Sequence, residues 1–192
     1  MRLVLASASP RRRELLEMLG FSDFEIIPAT CEEEAYNLPP EQEVAETARA
    51  KARDVLQRCT DDDMILAADT LVFLDGEKLG KPANEDDAER MLTKLSGRGH
   101  TVCTGVSIIY RGREITKAES TKVFFREINR DDILAYIKTG EPLDKAGAYG
   151  AQGKGAVFIE RIDGDFFNVM GLPLCLLSGM LGEFGVNILK GF

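Results

Sequence analysis

The sequence predicts an α/β fold built on a mixed, twisted sheet with flanking helices. Two observations carry this. Through the first half, short apolar runs of strand length alternate with segments of helical periodicity. Beyond residue 99 two longer strand-like stretches follow one another, joined only by Arg111-Gly112. No repeat, low-complexity tract or interdomain linker interrupts the pattern, and 192 residues suit one domain with a substantial core.

Residues 3–7 read as a short buried strand. Ser9 and Pro10 then supply an N-cap and a first-turn proline, Leu15, Leu16 and Leu19 form the apolar stripe, and Gly20 is the stop. "FEIIPA" (24–29) is a second strand, followed by the acidic loop "CEEEAYNLPP". Residues 41–58 form a helix with Val44, Ala48, Ala52, Val55 and Leu56 on one face. In "MILAADTLVFLDGEKLGKP" two apolar runs flank Ala68-Asp69-Thr70, and Asp75-Gly76 makes a hairpin turn. Asn84 caps a helix with Ala88, Met91, Leu92 and Leu95 inward and Gly97 at its end. Strands follow at 100–110 and 114–126, then a helix from Asn129 to about Thr139. The glycine-rich loop "EPLDKAGAYGAQGKG" leads into strand "AVFIERI" (156–162), a turn at Asp163-Gly164, and a last helix from about Pro173.

Composition narrows the function. An apolar fraction of 44% and a charged fraction of 29% belong to an ordinary globular chain. No apolar run approaches the roughly 20 residues that span a bilayer. The apolar stretch before the arginines is too short for a signal-peptide core, so a cytoplasmic protein without membrane partners is expected. Cys31, Cys59, Cys103 and Cys175 form no C-x-x-C pair and read as small buried apolar residues rather than zinc ligands or disulfides. A net charge of −8 argues against a nucleic-acid partner, whose sites rely on basic surfaces, but leaves room for a small phosphate ligand in a focused site. The single histidine, His100, lies inside a strand-like run. A Ser-His-Asp or Cys-His machine has nothing around it to use, so carboxylates, lysines and arginines carry any catalysis.

The candidate chemistry begins at "LASASPRRR". A strand feeding a helix N-terminus offers backbone N–H groups to an anion. Ser7 and Ser9 add hydroxyls, and Arg11 and Arg12 add planar forks for phosphate, while Arg13 points at a third angle and reads as surface. The plainer alternative is a capped helix with solvated arginines. Asp69 interrupts an apolar stretch, and a buried carboxylate is costly unless paired or bound to metal. One of Glu32, Glu33 and Glu34 can complete with it an oxygen-rich magnesium site. "GEKLGKP" is not a P-loop, since Pro82 stands where a hydroxyl must ligate magnesium, yet Lys81 can still reach a phosphate. Lys51 by default faces solvent. In "DKAGAYGAQG" the glycines permit close backbone approach, and Gln152 can both donate to and accept from a base edge.

Taken in order, "LASASPRRRELLEMLG", "AADTLVFLDGEKLGKP", "MLTKLSGRGHTVCTGVSI" and "EPLDKAGAYGAQGKGAVFIERIDGDFFNVMGLPL" resemble the Maf family of nucleoside triphosphate pyrophosphatases over nearly the whole chain. The resemblance implies one Maf-like domain across 1–192, folded like the inosine triphosphate pyrophosphatases with two lobes around a central cleft. It implies a hydrolase using Mg²⁺ or Mn²⁺, and the Asp-Lys pair with Gln152 is similar to the branch acting on dTTP, UTP and some modified pyrimidine nucleotides. By the same resemblance Ser7, Arg11 and Arg12 contact triphosphate or ribose, and Lys51 and Lys81 neutralise phosphate. Asp69 is the catalytic, metal-binding carboxylate with Glu33 its companion, and Asp144, Lys145 and Gln152 contact substrate. Ala67 replaces a glycine frequent in the family. A homodimer is implied, and a role in inhibiting septum formation at cell division is the alternative reading.

Overall fold

The computed structural model describes residues 1–31, 36 and 38–190. Along the chain come β1 (Arg2–Leu5), α1 (Pro10–Met18), β2 (Phe24–Ile26), α2 (Pro40–Leu56), β3 (Asp63–Leu74), β4 (Glu77–Leu79) and α3 (Glu85–Leu95). Then follow β5 (Gly99–Tyr110), β6 (Arg113–Phe125), α4 (Arg130–Ile137), β7 (Ile159–Asp163), α5 (Phe166–Met170) and α6 (Leu174–Gly182). The strands form one mixed sheet of seven in the order β2-β1-β3-β5-β6-β7, with β4 on β3. β1 runs parallel to β2 and β3, whereas β4 on β3 and β7 on β6 are antiparallel. In the β5–β6 hairpin Ser107 meets Thr116 and Cys103 meets Ser120, the opposed order of an antiparallel pair.

The chain divides into two compact units: Met1–Asp69 with Thr104–Glu119 and Gly171–Phe192, and Thr70–Cys103 with Ser120–Met170. In the first, α2 lays Ala52 and Val55 against Val4, Ala6, Ile65, Ala67 and Ile109. The helix lies so close to β5 that a Cβ on Gly105 would stand 2.1 Å from the Val44 carbonyl oxygen, a position only glycine fills. In the second, α3 and α4 cover a core of Leu79, Leu92, Val102, Val123, Phe125, Tyr149 and Phe158.

Several expectations are met in detail. The side chains of Asn84 and Asn129 accept from the backbone N–H groups of Asp87 (2.9 Å) and Asp132 (2.8 Å), the caps their positions forecast. Asp75 and Gly76 both take positive φ, the geometry of a primed hairpin turn. Other expectations are corrected. Ser9 occupies the N-cap position but makes no side-chain cap; instead the Ser7 hydroxyl accepts the Ser9 N–H at 3.2 Å. Asp69 lies in the middle of a single strand, because the β-branched and aromatic residues after it continue the extended run to Leu74. Residues 154–158 form a 3-10 turn, so β7 begins at Ile159 rather than Ala156. Helix α5 went unforeseen, although Asp165 caps it by accepting the Phe167 N–H at 2.7 Å. Of the cysteines only Cys103 is fully buried, and Cys175 is exposed.

Candidate active site

The first unit holds two charged arrangements. The parallel register of β1 on β3 pairs Leu5 with Leu66, and the Ala6 N–H donates to the Leu66 carbonyl at 2.8 Å, which carries Ser7 to the level of Ala68. There the chain turns into α1. Ser7 is buried, and its hydroxyl accepts the Arg12 Nη1 at 3.0 Å, while the Arg12 Nε donates to the Gly171 carbonyl at 2.8 Å. These two acceptors fix the orientation of the guanidinium plane. Arg11 is half-buried beside it in sequence. Arg13 is exposed and pairs with Glu17 one turn on at 2.7 Å, the surface role expected of it.

Lys51 does not face solvent. It stands four and three residues after the buried Thr47 and Ala48, so it borders the inward face of α2. Its ammonium meets the Asp69 carboxylate at 2.8 Å, with the two side chains 15% and 11% exposed. A carboxylate this buried needs such a partner, since an uncompensated buried charge is costly. Glu33 lies outside the described residues, so the structure does not address its placement. Among the described residues no group of three or more His, Cys, Asp or Glu side chains gathers as a metal cage. A carboxylate such as that of Asp69 is the kind of hard oxygen donor that Mg²⁺ or Mn²⁺ takes alongside substrate phosphates and waters.

The second unit carries the glycine-rich loop. Lys81 is exposed, and the preceding carbonyl, of Gly80, accepts the Gly147 N–H at 3.0 Å, which ties its segment to that loop. The Lys145 ammonium donates to the Asp144 carboxylate at 2.6 Å and to the Glu141 carbonyl at 2.8 Å. This Asp-Lys pair is therefore engaged within the loop itself. Gln152 is exposed.

Glu141 is the residue the sequence reading passed over. Its carboxylate accepts from the Tyr136 hydroxyl (2.9 Å), the Lys154 N–H (2.9 Å) and the Gly155 N–H (3.2 Å). Burial pushes this carboxyl up, but the backbone and phenol donors outweigh it and hold the group below the usual range. The only forecasting signal was the glycine spacing, because a Cβ on Gly153 would stand 2.3 Å from its Oε1. Behind the loop, the Tyr149 hydroxyl and the His100 Nε2 share a hydrogen bond of 2.8 Å, and Tyr149 packs edge-on against Phe125. His100 is 3% exposed, and burial lowers its pKa to about 4, so the lone histidine is a neutral core group.

A sequence model of the family described as Maf-like protein matches residues 2–184. The "dTTP/UTP pyrophosphatase" of Thermococcus kodakarensis is 51% identical over 188 residues, covering 98% of this chain and 99% of the relative. The protein of the same name from Moorella thermoacetica is 52% identical over 190 residues, with 97% of each covered. Among solved structures, the Staphylococcus aureus Ham1 protein is similar with a TM-score of 0.55 at 16% identity, covering 95% of this chain and 99% of that one. A HAM1 protein from Coxiella burnetii gives 0.51 at 15% over the same shares. At such identities these likenesses speak to the fold.

Proposed function

The chain belongs to the Maf-like protein family, and on that premise we propose that it is a nucleoside triphosphate pyrophosphatase. It hydrolyses dTTP and UTP between the α and β phosphates, releasing the monophosphate and pyrophosphate. The observation that carries the reading is the identity of about half of all residues, over nearly full length, with relatives named for this activity.

Within this proposal Ser7, Arg11 and Arg12 hold phosphate oxygens at the start of α1, where a helix N-terminus and guanidinium forks both favour an anion. Asp69, with Glu33, holds Mg²⁺ or Mn²⁺ and orients the attacking water. The cation, when bound, neutralises phosphate charge and makes the α phosphorus more electrophilic. Lys51 neutralises Asp69 in the free protein and, with Lys81, offsets the charge that grows on the leaving pyrophosphate. Gln152 reads the pyrimidine edge, with Asp144 and Lys145 beside it in the same loop. The working form is a cytoplasmic homodimer, for which sedimentation at twice the chain mass is the expected outcome.

Pyrophosphate release from dTTP, UTP and ATP, followed in Mg²⁺ and in Mn²⁺, tests the assignment. The expected outcome is metal-dependent release that favours the two pyrimidine nucleotides and falls about a hundredfold or more in Asp69→Asn. No release from dTTP or UTP at saturating metal, by protein with native circular dichroism, overturns it.

A further inference from the structure

The segment that follows α4 is bound to Glu141 from both sides, and no charged ligand is needed to explain its shape. On one side the Glu141 carbonyl accepts the Lys145 ammonium. On the other its carboxylate accepts the N–H groups of Lys154 and Gly155, immediately past Gln152 and Gly153. Tyr136 closes the arrangement: its hydroxyl accepts the Gly150 N–H at 3.1 Å and donates to the same carboxylate. Hydrogen bonds in such a chain polarise and strengthen one another.

Every group that meets this carboxylate is a donor, so the position calls for an acceptor-only side chain, which an amide is not. Three glycines give it room. A Cβ would stand 2.3 Å from Glu141 Oε1 on Gly153, 3.0 Å from it on Gly150, and 2.7 Å from the Tyr136 oxygen on Gly155. The residue that can face a base, Gln152, sits between the anchored stretches and is exposed.

We propose that Glu141 is a positioning residue for nucleotide selection: its carboxylate fixes the backbone just after Gln152 directly and, through the Tyr136 hydroxyl, the Gly150 N–H before it, so that the amide is presented already ordered. This rests on the reading of the 144–153 loop as the base-reading element. Ordering the loop in advance removes a cost that substrate binding would otherwise meet, so the effect falls on KM and on selectivity rather than on the chemical step.

Glu141→Gln keeps the volume but sets an NH₂ against N–H donors, and Gly153→Ala attacks the same contact from the loop side. Both are compared with wild type and Gln152→Ala for dTTP, UTP and ATP, alongside amide hydrogen exchange at Lys154 and Gly155. Each of the first two variants should raise KM for dTTP about tenfold with kcat changed less than about twofold, the loss of one charge-assisted bond. Both should also narrow the preference for dTTP over ATP, as Gln152→Ala does, and speed exchange at the two amides by about tenfold or more. Unchanged exchange in Glu141→Gln overturns the anchoring itself. Faster exchange with unaltered KM and preference, where Gln152→Ala does alter them, overturns its part in selection. An unaltered preference in Gln152→Ala instead overturns the base-reading role of the loop and the selection argument with it, while the exchange rates judge the anchoring separately.

Discussion

Arg12 and Arg13 are adjacent in sequence and opposite in circumstance. A rotation of about 100° per residue is enough to send one onto Ser7 and the Gly171 carbonyl and the other onto Glu17 in solvent. Arg12→Ala removes a held guanidinium and should lower kcat/KM for dTTP by about ten- to a hundredfold, the range for lost bonds to charged groups. Arg13→Ala removes only an exposed helix pair with Glu17 and should leave turnover within about twofold. Steady-state kinetics on the two variants decides; equal losses would mean that the helix phase does not separate them. Lys51 carries the complementary lesson. Its spacing from Thr47 and Ala48 sets it at the edge of the inward face of α2, and the carboxylate on a strand eighteen residues later gives its charge a partner there.

At the scale of elements, β5 supplies a histidine whose stability signature falls in the mildly acidic range. His100 titrates near 4 when folded, against an ordinary value of 6.5. Over that window the unfolded chain takes up the proton and the folded chain does not, so stability falls as pH drops from about 6.5 to about 4. The contribution is at most about 3 kcal/mol. Urea unfolding at pH 7 and at pH 4.5 should show a smaller loss for His100→Gln than for wild type; equal losses in both would place the acid sensitivity elsewhere. The starts of helices α3 and α4 were legible to the residue because a cap is a local device, an Asn side chain reaching a backbone N–H three residues ahead. The start of β7 was not. Its apolar pattern already begins at Ala156, but the Lys154 and Gly155 N–H groups are claimed by Glu141 from a distant turn, and that contact bends residues 154–158 out of strand geometry.

For the molecule as a whole, charge sets the choice of partner. At −8 the surface repels a polyanion, and the cations of interest are few and partly engaged: Lys51 with Asp69, Arg12 with Ser7 and Gly171, Lys145 with Asp144. Duplex DNA at about 50 mM salt should therefore pass without retardation in a gel shift, where a phosphate-contacting protein binds tightly. Salt-sensitive retention would revive a nucleic-acid role. Among the described residues no helix is long and apolar enough to cross a membrane.

The sequence by itself determined the α/β class, the capped helices, the hairpin turns and the family, because each rests on local periodicity or on blocks of residues in order. It also singled out Asp69 as a carboxylate in an apolar run that had to be matched by something. What matched it was decided by the tertiary structure. The pairing of Lys51 with Asp69, the hold of Gly171 on Arg12, and the closure of the glycine loop around Glu141 all join residues remote in sequence. Such contacts leave no periodic trace, since a buried charge is satisfied by whichever partner the fold brings within reach.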